Sequence, residues 1–364
     1  MLRRFVLSFA LLCHGGAAYA QGDLTEEPGF LRVTIGGRVA RLEALTVKRA
    51  DASGKLPIAL ITHGKPTTQG RMLDERASDY TRQAHDLARR GWLAVVVMRR
   101  GFGGSDGPSP VATSCASTSL IDRFAADADD LEAALDAIGK RPDADASRMI
   151  AIGVSAGGPA VTALSARNPK GLAGVINVSG GLRFLACPKE DALVAAFKAY
   201  GEKSRVPSLW IYAKNDSFFG PALVERMQAA FLDGGGDVKL VMLEADQRAD
   251  GHFIFGLSFG RFKWLPQMDA FLRFHKLPTW TRDDVNRVMK QLNAKEPSRG
   301  FLESYVSGPS ERALARQKSG TYMFETHGTR SIEDARKAAL EACERRSQPC
   351  EVVMENDRWT GPAP

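Results

Sequence analysis

The sequence predicts an α/β fold built on a mainly parallel, doubly wound sheet with helices on both faces. Short apolar runs alternate with longer segments of helical spacing from residue 30 to residue 276, and this alternation is typical of a parallel sheet. The runs at 92–98 and 208–213 contain few polar residues, as expected of strands buried on both faces. Active sites of such sheets lie beyond the carboxyl ends of the strands, so the residues after each strand are the first candidates for a site.

The elements of this fold follow from the apolar pattern in chain order. The pair Gly36-Gly37 between the first two runs predicts a hairpin. The predicted strands are 30–35, 39–47, 56–62, 92–98, 149–154, 172–178, 208–213 and 238–243. The predicted helices are 79–90, 121–138, 159–167, 191–200, 221–232 and 261–275.

The pattern changes after residue 277. A helix is predicted at 281–292, and the polar stretch 295–318, with its scattered Gly and Pro, predicts a linker, so 279–320 is taken as helix and linker. A strand at 321–324, a helix at 331–345 capped by Ser331, and a strand at 350–354 follow. Residues 321–364 therefore predict a small β-α-β appendage, which either packs on the larger domain or binds cell-envelope material.

The amino terminus has the features of a secretory signal peptide at 1–20. Arg3 and Arg4 provide a basic start, 5–13 is a short apolar run, and a small-x-small site ends at Ala20. The run is shorter than the roughly 20 apolar residues that span a bilayer, which argues against a membrane anchor. We expect cleavage after Ala20 and a periplasmic or secreted mature chain without stable membrane insertion.

Composition narrows the class of protein further. The chain has 364 residues, of which 44% are hydrophobic and 25% charged, which is ordinary for a globular protein and argues against disorder. This length accommodates one large domain and a smaller unit. The net charge is +7, but Lys and Arg are scattered rather than clustered, so we expect no nucleic-acid partner.

The pattern Gly-x-Ser-x-Gly, which can mark a nucleophilic serine, occurs at 153–157 and again at 103–107. A nucleophile elbow needs a strand before the serine and a helix after it. Ser155 has both, whereas Ser105 is followed by Gly-Pro-Ser-Pro, which cannot begin a helix directly. Ser155 is therefore the candidate nucleophile, and 101–110 is interpreted as a structural glycine loop.

Three segments at strand ends resemble the α/β-hydrolase superfamily. They are His-Gly-Lys-Pro at 63–66, Arg-Arg-Gly-Phe-Gly-Gly-Ser-Asp-Gly at 99–107, and Gly-Val-Ser-Ala-Gly-Gly at 153–158. Within the superfamily the chain looks most like dienelactone-hydrolase-like proteins and the catalytic domains of prolyl-oligopeptidase-type peptidases. The resemblance implies an α/β-hydrolase catalytic domain at 27–278 and a serine-hydrolase mechanism, and it says little about substrate.

The resemblance also implies the partners of Ser155. The chain order of the superfamily is serine, then acid, then histidine, and Asp216 and His252 follow late strands in that order. Asp246 and Asp250 are rival acids, but Asp250 lies only two residues from His252, which makes orientation of the imidazole awkward. His63, in the His-Gly motif, is expected to have a structural role.

An oxyanion needs backbone donors. The N–H of Ala156, directly after the nucleophile, is one candidate, and the resemblance implies the N–H of Lys65 as the other. The Lys65 side chain either points to solvent or contacts an anionic substrate group. Phe184, Phe218 and Phe219 either line an apolar substrate pocket or pack as core and rim.

Four cysteines remain after removal of the signal peptide, and in an exported protein this predicts two disulfides. Cys115 and Cys187 both follow parallel strands and so lie at the same sheet edge, which favours one pair. Cys343 and Cys350 are close in the chain and favour the other. No Cys-x-x-Cys or His cluster is present, so we expect neither a metal nor another cofactor.

The leading hypothesis is an exported serine hydrolase that cleaves a carboxylic ester of a small molecule through an acyl-enzyme. A serine peptidase with the same triad is the alternative, ranked lower because no propeller or large cap precedes the domain. A non-catalytic cell-envelope binding protein is the alternative from another class, and the complete triad argues against it. The oligomeric state is not predicted.

Overall fold

The structure is a computed structural model. It describes residues 23–66, 69–111, 114, 116–183, 190–319, 323–346 and 349–361, with the backbone alone at 19–21, 69 and 70. Most of the predicted signal peptide lies outside these residues, as do Phe184 and the predicted Cys115–Cys187 pair.

A nine-stranded sheet forms the centre of the larger domain, in the order β1-β2-β3-β5-β4-β6-β7-β8-β9. Its strands are Tyr19–Gln21 (β1), Leu24–Ile35 (β2), Arg38–Arg49 (β3), Leu56–Thr62 (β4), Leu93–Val97 (β5), Ala144–Val154 (β6), Leu172–Val178 (β7), Ser208–Ala213 (β8) and Val238–Leu243 (β9). The six strands from β4 onward pair in parallel, while β1 to β3 pair antiparallel. The mainly parallel sheet predicted from the sequence is confirmed.

The predicted hairpin forms at Gly36 and Gly37. Their φ angles are +55° and +78°, which is the left-handed conformation that a tight hairpin turn requires at both central positions. The strands on either side are longer than predicted because β2 extends back to Leu24 and pairs with Arg49. The polar start of β2 carried no apolar alternation that would have indicated this extension.

Helices cover both faces of the sheet, as predicted. They are Thr81–Ala88 (α1), Ser117–Gly139 (α2), Gly157–Ser165 (α3), Asp191–Gly201 (α4), Pro221–Asp233 (α5) and Ser258–Phe274 (α6). One apolar cluster packs under α2 to α5, and a second packs under α1 and α6. With both faces covered, the carboxyl ends of the strands remain open for a site.

The carboxyl-terminal unit differs from the prediction in two respects. Its elements are Arg282–Leu292 (α7), Arg299–Ser307 (α8), Ala313–Gln317 (β10), Met323–Thr326 (β11), Ile332–Glu344 (α9), Cys350–Glu355 (β12) and Arg358–Trp359 (β13). The predicted linker at 295–318 is wrong, because α8 and β10 form there and bury Leu302, Tyr305 and Leu314. The predicted β-α-β unit also lacked a strand. In the structure, β10 lies between β11 and β12 in a four-stranded antiparallel sheet.

A covalent cross-link lies within this unit, and a set of hydrogen bonds joins the unit to the larger domain. A disulfide joins Cys343 at the end of α9 to Cys350 at the start of β12, as predicted. Against the larger domain, buried Asp86 of α1 accepts hydrogen bonds from Arg261 at 2.7 and 2.8 Å and from the Ser310 N–H at 2.6 Å. Buried charges that are paired in this way dock the unit on α1 and α6.

No helix among the described residues combines the length and apolarity needed to cross a bilayer.

Candidate active site

Ser155 lies on the tight turn between β6 and α3. Its φ angle is +52°, a left-handed conformation that is uncommon for residues other than glycine and is concentrated at functional sites. The turn is fixed by hydrogen bonds from the Ser155 N–H to the Val178 carbonyl at 3.0 Å and from the Gly158 N–H to the Ser155 carbonyl at 2.9 Å. The strand, turn and helix that the sequence predicts around Ser155 are present.

Glycines let this turn pack against neighbouring backbone. A Cβ atom on Gly153 would lie 2.0 Å from the Gly157 carbonyl oxygen, and one on Gly157 would lie 2.6 Å from the His63 carbonyl oxygen. Real Cβ atoms do not approach backbone so closely, so the turn can close only without side chains at these positions.

Ser155, His252 and Asp216 form one chain of contacts. Ser155 Oγ and His252 Nε2 are 3.0 Å apart, and His252 Nδ1 is 3.2 Å from each carboxylate oxygen of Asp216. The carboxylate can only accept, so Nδ1 carries the ring proton and Nε2 faces the serine hydroxyl as an acceptor. This is the tautomer in which an imidazole can take a proton from a serine.

The rival acids contact other groups. Asp250 accepts the N–H of Ser217 at 3.1 Å and the N–H of His252 at 2.9 Å, so it holds the backbone of the loop rather than the imidazole. Asp246 pairs with Arg248 and Lys263 at the surface. Among the three carboxylates considered, only Asp216 contacts the ring.

Phe218 covers one side of the imidazole. Its ring centroid is 4.2 Å from that of His252 with an interplanar angle of 31°. Phe219 is buried in the core, with its ring centroid 5.6 Å from that of His252. Of the three phenylalanines considered for a pocket, Phe184 lies outside the described residues, Phe218 packs on the histidine and Phe219 is core. The sequence carried no signal for the ring stacking.

The two candidate oxyanion donors flank the nucleophile. Ala156 is buried directly after Ser155, and Lys65 follows Gly64, on which a Cβ would lie 3.0 Å from the Ser155 Cβ. Burial lowers the pKa of the Lys65 ammonium, and the nearby Arg123 guanidinium lowers it further. The Lys65 side chain is half-buried, so it is not simply a solvent-facing cation.

Ser105, in the second Gly-x-Ser-x-Gly pattern, belongs to the structural loop. Its hydroxyl donates to the Met98 carbonyl at 2.8 Å and accepts the Glu43 N–H at 2.9 Å. Both hydrogen bonds of this hydroxyl are made with backbone groups, which supports the structural interpretation of the loop. No group of three His, Cys, Asp or Glu side chains in the described part of the chain is arranged to hold a metal ion.

Comparison with known proteins identifies the fold. Residues 72–197 match the family described as serine aminopeptidase, S33. The structure is similar to dipeptidyl peptidase 4 of Porphyromonas gingivalis, with a TM-score of 0.50 and 20% identity over 68% of this chain and 35% of that one. The chain has the α/β-hydrolase fold. No curated protein matches it significantly.

Other solved α/β-hydrolases are similar at comparable levels. A putative dienelactone hydrolase from Klebsiella pneumoniae is 19% identical, covering 66% of this chain and 97% of its own, with a TM-score of 0.45. An acetyl xylan esterase from Paenibacillus sp. R4 is 14% identical, covering 71% of this chain and 85% of its own, with a TM-score of 0.48. The description of the matched family, a serine aminopeptidase, supports assigning this α/β-hydrolase to the serine hydrolases.

Proposed function

We propose that the chain is a serine hydrolase that cleaves a carboxylic ester of a small molecule through an acyl-enzyme. The observation that carries the proposal is the continuous contact from Ser155 Oγ through His252 to Asp216, with the serine on a strained strand-to-helix turn. A serine hydroxyl becomes an effective nucleophile only when an oriented base takes its proton, and this arrangement supplies that base.

Each group has a role in the proposed reaction. Ser155 Oγ attacks the ester carbonyl carbon while its proton passes to His252 Nε2, and the N–H groups of Ala156 and Lys65 stabilise the resulting oxyanion. The tetrahedral intermediate breaks its bond to the alcohol oxygen, which leaves with the proton from His252. Water then attacks the acyl-enzyme with His252 again as base, which releases the acid and restores Ser155.

Asp216 keeps the imidazole in the tautomer that this cycle requires. It is 5% exposed, and its carboxylate also accepts the N–H groups of Phe218 at 2.8 Å and Phe219 at 2.9 Å. A carboxylate held by backbone donors stays in place beside the ring, so it can stabilise the imidazolium that forms in each half-reaction.

A serine peptidase using the same residues is the second candidate, favoured by the serine aminopeptidase description of the matched family. Asp216 and Asp250, the two carboxylates that contact His252, are both bonded to protein donors. Neither is therefore placed to bind the amino terminus of a peptide substrate, and we rank the ester above the peptide bond.

A panel of p-nitrophenyl esters of graded acyl length and of aminoacyl-anilides tests these alternatives on the purified protein. We expect ester turnover and labelling by a fluorophosphonate probe, both lost in Ser155→Ala and both retained in the matched control Ser105→Ala. Anilide turnover without ester turnover would favour the peptidase. Labelling that survives Ser155→Ala would refute the nucleophile, and inertness towards the whole panel and the probe would favour a binding protein.

We propose in addition that the chain is exported and cleaved after Ala20, on the basis of the basic start, apolar run and small-x-small site of its first residues. Cleavage there would divide β1, which pairs Tyr19 with Glu26 and Gln21 with Leu24. Amino-terminal sequencing of the protein recovered from the periplasm or medium should begin at Gln21. A chain that retains Met1 in the cytoplasm would refute export.

A further inference from the structure

Three phenylalanine rings surround the imidazole of His252. The ring centroids of Phe218, Phe253 and Phe219 lie 4.2, 5.4 and 5.6 Å from that of His252. Phe218 and Phe219 follow β8, and Phe253 lies in the short helix Gly251–Phe253 that follows β9. The base of the proposed reaction therefore has aromatic neighbours from both of the loops that carry it and its acid.

Phe253 differs from the other two rings in its exposure. Phe219 is 1% exposed and belongs to the core, and Phe218 is half-buried, whereas Phe253 is 55% exposed. Single exposed apolar side chains are common on protein surfaces, so exposure by itself does not indicate a function. The position of Phe253 does, because its ring stands beside the base at an interplanar angle of 82° and keeps more than half of its surface free for another group.

The backbone that carries Phe253 is held on both sides. The Phe253 N–H donates to the Asp250 carbonyl at 3.2 Å, and the N–H of buried Ile254 donates to the Gly251 carbonyl at 3.2 Å. Gly251 packs so closely on β8 that a Cβ on it would lie 2.6 Å from the Ala213 Cβ. The ring is therefore presented from a fixed turn, and a ligand that binds it loses little free energy to ordering of the protein.

The proposed reaction brings the alcohol group of the ester to this imidazole. His252 Nε2 returns its proton to the alcohol oxygen, and that transfer requires the two atoms to lie within about 3 Å of each other. The Nδ1 atom is occupied by Asp216, and one side of the ring is covered by Phe218. The carbon atoms bonded to the alcohol oxygen therefore lie close to the imidazole, where the exposed Phe253 ring can contact them.

The charged side chains on the two loops that carry these rings are paired within the protein. Lys214 pairs with Glu244 at 2.6 Å. Asp246 pairs with Arg248 at 2.7 Å, and Asp250 accepts backbone N–H groups. An ionic alcohol group would have to displace one of these partners, whereas an apolar one would cover the Phe253 ring and remove its surface from water.

We propose that Phe253 is a specificity-determining residue whose exposed ring binds an aromatic alcohol group of the ester substrate. An aromatic group gains from the apolar area that it covers and, in addition, from edge-to-face or offset packing on the ring. The alcohol leaves with the proton from His252 while the acyl group stays on Ser155, so this contact acts only in the first half of the reaction. The inference rests on the proposed ester hydrolysis.

Three esters and three variants test it. Benzyl acetate carries an aromatic ring on the alcohol, ethyl phenylacetate carries one on the acyl group, and ethyl acetate has none; benzyl alcohol and ethanol are similar in acidity. Phe253→Ser removes the ring and Phe253→Tyr keeps it. Phe274→Ser is the matched control, because Phe274 ends α6 with 82% exposure and also stands beside a histidine, with its centroid 5.0 Å from that of His275 at 83°.

The readout is the kcat/KM of each ester, followed by titration of the released acid. We expect Phe253→Ser to lower the ratio of kcat/KM for benzyl acetate to that for ethyl acetate by about tenfold. The ratio for ethyl phenylacetate to ethyl acetate should stay near the wild-type value. Phe253→Tyr and Phe274→Ser should leave both ratios unchanged.

An unchanged benzyl ratio in Phe253→Ser, or equal losses on the three esters, would overturn the inference, since a merely structural role slows all three alike. A loss confined to ethyl phenylacetate would also overturn it, because the ring would then contact the acyl group.

Absence of Ser155-dependent turnover in the wild type would instead refute the proposed function. The contact is then read by ¹⁹F NMR titration with 4-fluorobenzyl alcohol. We expect Phe253→Ser to weaken binding by about tenfold and Phe274→Ser to leave it unchanged. Equal binding by the wild type and Phe253→Ser, or binding by neither, would overturn the inference.

Discussion

At the scale of single residues, the acid of the site is defined by what each carboxylate contacts rather than by chain position. Asp216 and Asp250 both lie in loops at the same sheet edge, and both bind parts of His252. Asp216 takes the ring nitrogen, while Asp250 takes the backbone N–H and caps the short helix Gly251–Phe253. Loss of the Asp216 carboxylate would therefore remove the group that fixes the His252 tautomer. Loss of the Asp250 carboxylate would remove the cap of the short helix.

We predict that Asp216→Asn lowers kcat by about 10,000-fold, because an amide beside Nδ1 can donate to it and favours the tautomer that cannot accept the serine proton. Asp250→Asn should cost less than about tenfold, since an asparagine still caps a helix well. Steady-state kinetics on the best ester of the panel measures both. A larger loss in Asp250→Asn would mean that the acid has been assigned to the wrong residue.

At the scale of elements, the junction of β6 and α3 depends on Gly153, Gly157 and Gly158, which let backbone approach backbone. Gly153 is the tightest, because a Cβ there would meet the Gly157 carbonyl carbon at 2.3 Å as well as its oxygen at 2.0 Å. No side-chain rotation can relieve a clash with backbone, so the turn itself would have to move. Since the turn carries Ser155, such movement would displace the hydroxyl from His252.

We predict that Gly153→Ala abolishes labelling by the fluorophosphonate probe and lowers the melting temperature by several degrees. Gly220→Ala is the matched control, because a Cβ there has no atom within 4 Å and the φ angle of −66° suits any residue. Probe labelling and thermal unfolding by circular dichroism measure the two effects. Wild-type labelling in Gly153→Ala would contradict the tight elbow.

At the scale of the whole molecule, His85 connects three parts of the chain. From α1 it contacts Glu26 of β2 through Nε2 at 2.8 Å and Glu311, just before β10, through Nδ1 at 3.1 Å. The three side chains line a cavity of about 830 Å³ between the larger domain and the carboxyl-terminal unit. Glu311 is held there in a left-handed conformation with φ of +61°.

We expect this contact to make docking of the unit sensitive to pH. Burial lowers the pKa of His85 and Arg89 opposes its charge, but hydrogen bonds to Glu26 and Glu311 outweigh both, so the pKa of His85 is raised. A raised pKa in the folded state stabilises the protein fully below the unfolded value of about 6.5. That contribution is lost as pH rises through the folded value.

We predict that His85→Gln destabilises the protein more at pH 6 than at pH 9, because the contribution of the raised His85 pKa is lost as the pH rises. Urea unfolding of both proteins across this range gives the difference in the free energy of unfolding at each pH. His275→Gln, at the end of α6, serves as the control for a histidine without carboxylate partners among its described contacts. A difference that is constant with pH would show that His85 acts only by packing.

Much of this architecture follows from local pattern. The strands Leu56–Thr62, Leu172–Val178 and Ser208–Ala213 have the predicted bounds, because a strand buried on both faces must be apolar throughout and a turn interrupts it sharply. The position of Ser155 between a strand and a helix is legible for the same reason. The antiparallel β10 escaped prediction because Ala313 and Ala315 have weak strand propensity and are held by pairing with β12.

The site divides in the same way. The order of residues and the ends of the strands were enough to point to Ser155 and His252. The turn that carries Ser155 and the loop that carries His252 are both determined by the residues close to them in the chain. Which carboxylate contacts the imidazole, the stacking of Phe218 on it, and the hydrogen bond between His63 and the Gly64 carbonyl were decided only by tertiary structure. The contacts of His252 join residues far apart in the chain, and a side chain's distance and direction in space are set by the packing of the sheet and not by its neighbours in sequence.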